Sequence, residues 1–169
     1  MGYVHDANLI QFIPATDFQF SAGTWTPTLA TYLVSMVKSA ADEALNVLIP
    51  IPLPGNDAQT LGAKLVSVDI WYKIATAAAD DFATAIITKQ NLLGNTVAVT
   101  GSLVDTTADT DHNTAAERLA VASHKMTITL NTARFLDKDK GYYAVMVIDC
   151  AATTVLTFFG AQANYTLRL

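Results

Sequence analysis

Apolar residues recur at every second position of KLVSVDIWYKIATA (64–77). Val66, Val68, Ile70, Tyr72 and Ile74 share one face, and Ser67, Asp69, Trp71 and Lys73 share the other. A period of two, with β-branched and aromatic enrichment, predicts a half-buried strand that carries Trp71 on its polar face. KMTITL (125–130) alternates in the same way, with Met126, Ile128 and Leu130 against Thr127 and Thr129. YYAVMVID (142–149) and TVLTFFGAQANYTLRL (154–169) are also β-rich, and Gly160 in the second predicts a bulge or bend. DFATAIITK (81–89) and TVAVTGSLV (96–104) complete the middle of the chain. NLIQFIP and DFQFS are short strand candidates near its start.

KSAADEAL (38–45) is composed of helix formers, yet it runs directly into NVLIPIPLP, which no helix tolerates. An internal likeness decides between helix and corner. In YLVSMVKSAADEALNVL and YAVMVIDCAATTVLTFF, Tyr32 aligns with Tyr143, Val34 with Val145, Val37 with Ile148, Ala40–Ala41 with Ala151–Ala152, and Leu45 with Leu156. A third copy, IATAAADDFATAI, places Ala78–Ala79 before Asp80–Asp81 and Phe82. The second copy continues with Thr153, Thr154 and Val155, a β-branched run poorly suited to a helix, and the third follows the clearest strand. All three are therefore read as hairpin corners. A helical stripe over 28–45, through Leu29, Leu33, Met36, Val37, Ala40 and Leu45, is the competing reading.

Corners or loops fall near 14–16, 21–23, 39–43, 54–62, 77–80, 91–95, 105–117, 137–141 and 151–153, which leaves eight to ten strands and almost no helix. The expected fold is all-β: a single antiparallel β-sandwich over residues 1–169, jelly-roll-like, with residues 1–14 a candidate N-terminal arm. Pro50, Pro52 and Pro54 suit an edge strand or an extended exit. No composition shift or linker divides the chain.

Composition narrows the function. Hydrophobic residues make up 51% and charged residues 15%, against about 25% charged in an ordinary soluble domain. Such a surface suits burial against other subunits. The net charge is −5 and the ten Lys and Arg form no cluster, which argues against nucleic acid as a partner. No apolar run approaches the length of a spanning helix, so no membrane partner is expected. MGYVHDANLIQF lacks the basic and apolar regions of a signal peptide, and Asp6 breaks the myristoylation pattern.

The densest chemistry lies in DTTADTDHNTAAER (105–118). Asp105, Asp109 and Asp111 are weak candidates for a hard cation, but the absence of glycine removes any EF-hand match. The bland alternative is a solvated loop whose polar side chains cap turns, with Glu117 and Arg118 in a local charge pair. Among His5, His112 and His124 the nearest two are separated along the chain, and zinc sites normally add Cys or a closer His. Cys150 is the one cysteine and precedes an alanine corner, which fits small apolar packing better than nucleophilic chemistry with His124. No serine-elbow or phosphate-loop motif occurs. No cofactor is expected. Trp71, facing outward, is a candidate contact, together with Tyr3, Ile10 and Phe12.

DTDHNTAAERLAVASHKMTITL, FLDKDKGYYAVMVI and FFGAQANYTLRL, together with FSAGTWTPTLA and AKLVSVDIWYKIATAA, resemble a group of small phage-associated proteins frequent in environmental viral sequence. The group carries virion structural proteins and proteins without assigned activity. The resemblance spans most of the chain from about residue 20 and implies a β-sandwich building block of a virus particle. It leads to a non-enzymatic virion structural protein, specifically a capsid decoration or cement protein. Its partners would be itself, with a homotrimer favoured, and other virion proteins such as the major capsid protein. A tail-tip or fibre domain that binds a host glycan is the alternative, although the 54–62 and 105–117 loops hold no aromatic residue. A cell-wall hydrolase, which would need paired acids in a cleft, is a third reading.

Overall fold

The strands form where apolar positions alternate, and they close on one another in two layers. A computed structural model of the chain describes residues 6–30, 33–54, 63–91, 101–136 and 140–168. Its elements are β1 (Asp6–Pro14), β2 (Gln19–Phe20), β3 (Trp25–Ala30), β4 (Leu33–Lys38), β5 (Glu43–Ile51), β6 (Ala63–Ala75), β7 (Asp81–Asn91), β8 (Gly101–Leu103), β9 (Thr106–Ala108), a four-residue helix α1 (Ala115–Arg118), β10 (Ser123–Phe135), β11 (Lys140–Cys150) and β12 (Val155–Arg168). One turn of 3-10 helix, Ala15–Asp17, follows β1. Among the described residues, three of the twelve strands, β2, β8 and β9, have only two or three residues, and the nine longer ones fall within the expected eight to ten.

The larger sheet runs β3-β4-β12-β6-β10-β9, with β1 also paired to β12, and the smaller runs β2-β5-β11-β7-β8. All pairings are antiparallel. Numbering β4, β5, β6, β7, β8, β10, β11 and β12 one to eight, the sheets read 1-8-3-6 and 2-7-4-5. That is the jelly-roll order, two Greek keys wrapped into a sandwich. The chain is therefore an all-β sandwich with jelly-roll topology.

This order corrects the nature of the alanine corners. Residues 39–42, 76–80 and 151–154 do reverse the chain, but none joins a hairpin. β4, β6 and β12 lie in the larger sheet, whereas β5, β7 and β11 lie in the smaller one. Each corner therefore arches over the edge of the core, and its two strands meet through side chains rather than backbone hydrogen bonds. Sheet spacing of about 10 Å sets the span that each arch must cover. The arches lie side by side at one end of the sandwich. Thr154 Oγ1 donates to Ala78 O at 2.8 Å, and Asp80 N donates to Asp149 O at 2.8 Å, tying the last arch to the middle one. Lys38, fully buried, donates to Ser39 O and Ala41 O and lies 3.6 Å from Glu43, holding the first arch from within. The connection from β8 to β10 also passes between the sheets, and it carries β9, α1 and the acidic segment 105–118.

Between the layers lie Val68, Ile70, Tyr72 and Ile74 of β6, Leu156, Phe158, Ala161 and Ala163 of β12, and Met126 and Ile128 of β10. They face Leu45, Val47 and Ile49 of β5, Ala144, Met146 and Ile148 of β11, and Phe82 and Ile87 of β7. Cys150 is fully buried among them, and burial raises the pKa of its thiol. Val66 departs from the expected inward row. Asn164 pairs with Ser67 and Tyr165 with Leu65, so Val66 is the extra residue of a bulge and turns half out of the core.

One other expectation changes. Residues 6–14 form no free arm: β1 is paired from Asp6 opposite Arg168 to Pro14 opposite Gly160. Pro50 lies within β5, paired to Tyr143, where β2 leaves the other edge of β5 open, because β2 pairs only with Val47 and Leu48; this is the edge position expected for it. Trp25 is half-buried, stacked on Phe20 at 3.7 Å, with its indole N–H donating to Ala22 O.

Candidate functional site

Strand alternation leaves each sheet an outer face, and the two differ in kind. On the larger sheet, Ile10 and Phe12 of β1 and Trp71 of β6 point outward together. Ile10 and Phe12 are 59% and 64% exposed, and Trp71 is partly covered. Gly160 is the pivot of this arrangement. Its φ is +143°, at a bulge opposite Trp71. A Cβ there would stand 2.7 Å from the Phe12 ring and 3.0 Å from Ile13 O. Only glycine leaves the ring its seat. Beside the rings lie two polar groups. Gln162 donates to Asn164, Asn164 donates to Ser67 Oγ, and Thr127 donates to Asp69 Oδ1. Lys125 Nζ pairs with Asp69 Oδ2 at 3.2 Å and stands 5.4 Å from the Trp71 ring centroid. A shallow cleft of about 220 Å³ opens between Asn8, Ile10, Val66, Asn164 and Thr166.

The outer face of the smaller sheet carries an aliphatic row. Leu48 of β5, Val145 of β11 and Ile86 of β7 form one cross-strand row. Pro50, Tyr143 and Thr88 form the next row, and Val147, 38% exposed, extends the patch toward the arches. The inner faces of the same strands are already buried in the core, so this row is a second apolar surface on the same sheet.

The acidic segment is a tied structure rather than an open loop. Asp105 Oδ1 accepts from Asn131 Nδ2 at 2.7 Å. Asp109 takes Thr127 N–H on one oxygen, and on the other it takes Asp111 N–H and meets His112 Nδ1 at 2.6 Å. Burial pulls the Asp109 pKa upward, but these hydrogen bonds together outweigh it and hold the carboxyl below its ordinary range. Among the described residues no three His, Cys, Asp or Glu side chains are gathered to hold a metal ion. The expected Glu117–Arg118 pair is replaced by two separate devices. Glu117 closes a capping box with Thr114 at the start of α1. Arg118 is buried and donates to the carbonyls of Phe82, Ala83 and His112, where it binds α1 to β7. His112 Nε2 lies 3.1 Å from His124 Nδ1, so two histidines distant in sequence meet. Cys150 and His124 are not brought together as a catalytic pair: the thiol lies under the 151–154 arch, and both nitrogens of His124 are engaged elsewhere. Tyr3 and His5 lie outside the described residues.

No family model matches the chain, and no curated protein matches it. Among solved structures it is similar to an arabinose-bound GH51 α-L-arabinofuranosidase, at TM-score 0.38 and 7% identity over 92% of this chain; it spans 24% of that enzyme's length. It is similar to a CBM4 structure at TM-score 0.36 and 9% identity, covering 85% of this chain and 89% of that one. It is also similar to TmCBM61 in complex with β-1,4-galactotriose, at TM-score 0.36 and 10% identity, covering 96% and 88%.

Of the four contact residues expected from sequence, three, Trp71, Ile10 and Phe12, lie on one face of the larger sheet. The aliphatic row of the smaller sheet was not expected. Its signal is a lapse of alternation: Val47-Leu48-Ile49, Ile86-Ile87 and Tyr143–Ile148 are continuous apolar runs, and such runs mark strands covered on both faces. The three runs lie on adjacent strands, which only the topology reveals.

Proposed function

We propose that this protein is a non-enzymatic structural subunit of a phage particle, an accessory head protein of the decoration or cement kind. It acts by packing the outer face of its smaller sheet against a neighbouring subunit. The observation that carries this reading is the Leu48–Val145–Ile86 row, a second apolar face on a sheet whose other face already fills the core. Burying such a row contributes about 25 cal/mol per Å², offset by the cost of association. The phage setting and a homotrimer come from the resemblance to phage structural proteins and from analogy with viral jelly rolls. Val145→Asp places a charge at the centre of the row. Light scattering is expected to give an oligomer for the unaltered chain and a folded single-chain species of 18.1 kDa for the variant. An unaltered chain that stays at 18.1 kDa up to about 100 µM would contradict the proposal.

A second reading has its own support: glycan binding on the larger sheet, within a tail-tip or fibre setting. The Phe12 and Trp71 rings beside the Gln162–Asn164–Ser67 and Asp69–Lys125 groups offer apolar faces next to preset donors and acceptors. Binding on a glycan array that disappears with Trp71→Ala would favour it over the assembly reading.

A further inference from the structure

We infer that His112 and His124 form a site for a single proton, one that fastens the 109–122 segment to the sandwich. The two rings sit in a line of three hydrogen bonds. Asp109 Oδ1 meets His112 Nδ1 at 2.6 Å, His112 Nε2 meets His124 Nδ1 at 3.1 Å, and His124 Nε2 meets Ala120 O at 2.9 Å. Both ends of the line, a carboxylate and a carbonyl, are acceptors. Each of the three contacts needs one hydrogen, and two neutral imidazoles bring only two. The completed line therefore holds one proton more than a pair of neutral rings.

That proton belongs to the rings rather than to the carboxyl. Asp109 already accepts two backbone N–H groups, from Thr127 and Asp111, and such bonds favour the anion. One imidazolium and one neutral imidazole then share the central contact, and the cation lies next to the Asp109 charge. The Tyr72 ring lies parallel to His124 at 4.6 Å, within range of a cation on its π face. Its hydroxyl donates to Arg118 O, which ties the stacking ring to α1.

The charged and titratable surroundings are mixed. Asp109 and Asp111 belong to the loop, Glu117 and Arg118 to α1, and Tyr72 comes from β6. The carboxylates of Asp109 and Glu117 both feel His112. The Arg118 guanidinium is spent on the carbonyls of β7 and of His112. β7 meets the cluster with the Phe82 ring, which packs on Tyr72. Lys125, the cation nearest in sequence on β10, is turned to the outer face over Trp71.

Without that proton one contact sets lone pair against lone pair, and the segment loses a tie at the arch end of the sandwich.

Ring ¹⁵N spectra of the full chain near pH 7 test this without any variant. The expected result is three protonated nitrogens among the four of His112 and His124. Two unprotonated nitrogens, one per ring, would overturn the inference.

Discussion

The two outer faces of the sandwich are made by the same alternation and end in opposite chemistry. On the larger sheet the outward positions include two bonded groups, Gln162–Asn164–Ser67 and Thr127–Asp69–Lys125, with Phe12 and Trp71 set beside them. On the smaller sheet they include the aliphatic row Leu48, Val145 and Ile86, with Pro50 and Tyr143 beside it. A polar network of this kind is stable facing water because its members satisfy each other. An aliphatic row gains nothing from water and gains free energy from cover. The contrast teaches that a strand's outward residues, read against its neighbours in the sheet, separate a surface built for solvent or small ligands from one built for protein.

Gly160→Val is expected to break the larger face most severely. The branched side chain meets both a positive φ and the Phe12 ring, and β1 must lift or β12 must distort. A loss of about 2–4 kcal/mol in urea denaturation is expected. On the smaller face Leu48→Asp is expected to leave monomer stability within about 0.5 kcal/mol, while raising the concentration needed for self-association more than tenfold by sedimentation. The same measurement on Trp71→Ala is expected to show no change in association, which separates the faces directly.

Smaller effects sharpen the picture. Asp69→Asn removes the charge that holds Lys125 over Trp71 but keeps an acceptor for Thr127. It is expected to cost about 1 kcal/mol, and tryptophan emission should shift as the lysine leaves the ring. Asp109 contributes in acid. Its folded carboxyl sits below the ordinary range, so its stabilisation is present above about pH 3.9 and is lost as pH falls through the lowered folded value. Thermal melts between pH 5 and pH 2 should show a loss that Asp109→Asn reduces.

The layered fold was legible because alternation in 64–77 and 125–130 and the alanine corners are local signals. Arches and hairpins were not distinguishable, since both read as strand, turn, strand. Which strands share hydrogen bonds is a non-local property, and only the placement of β11 between β5 and β7 settles it. Trp71 was readable as outward-facing from its neighbours in period two. The company of Phe12 depends on β1 pairing with β12 across the whole chain. The histidine pair and the Arg118 clamp left no spacing signal, because a loop folding back on β10 and β7 brought their partners together.

Hydroxyl-radical footprinting of the assembled chain reads most directly which face is covered. The account predicts that Leu48, Ile86 and Tyr143 oxidise far more slowly than Phe12 and Trp71, and that Val145→Asp removes their protection. Protection of Phe12 and Trp71 with free oxidation of Tyr143 and Leu48 would contradict it.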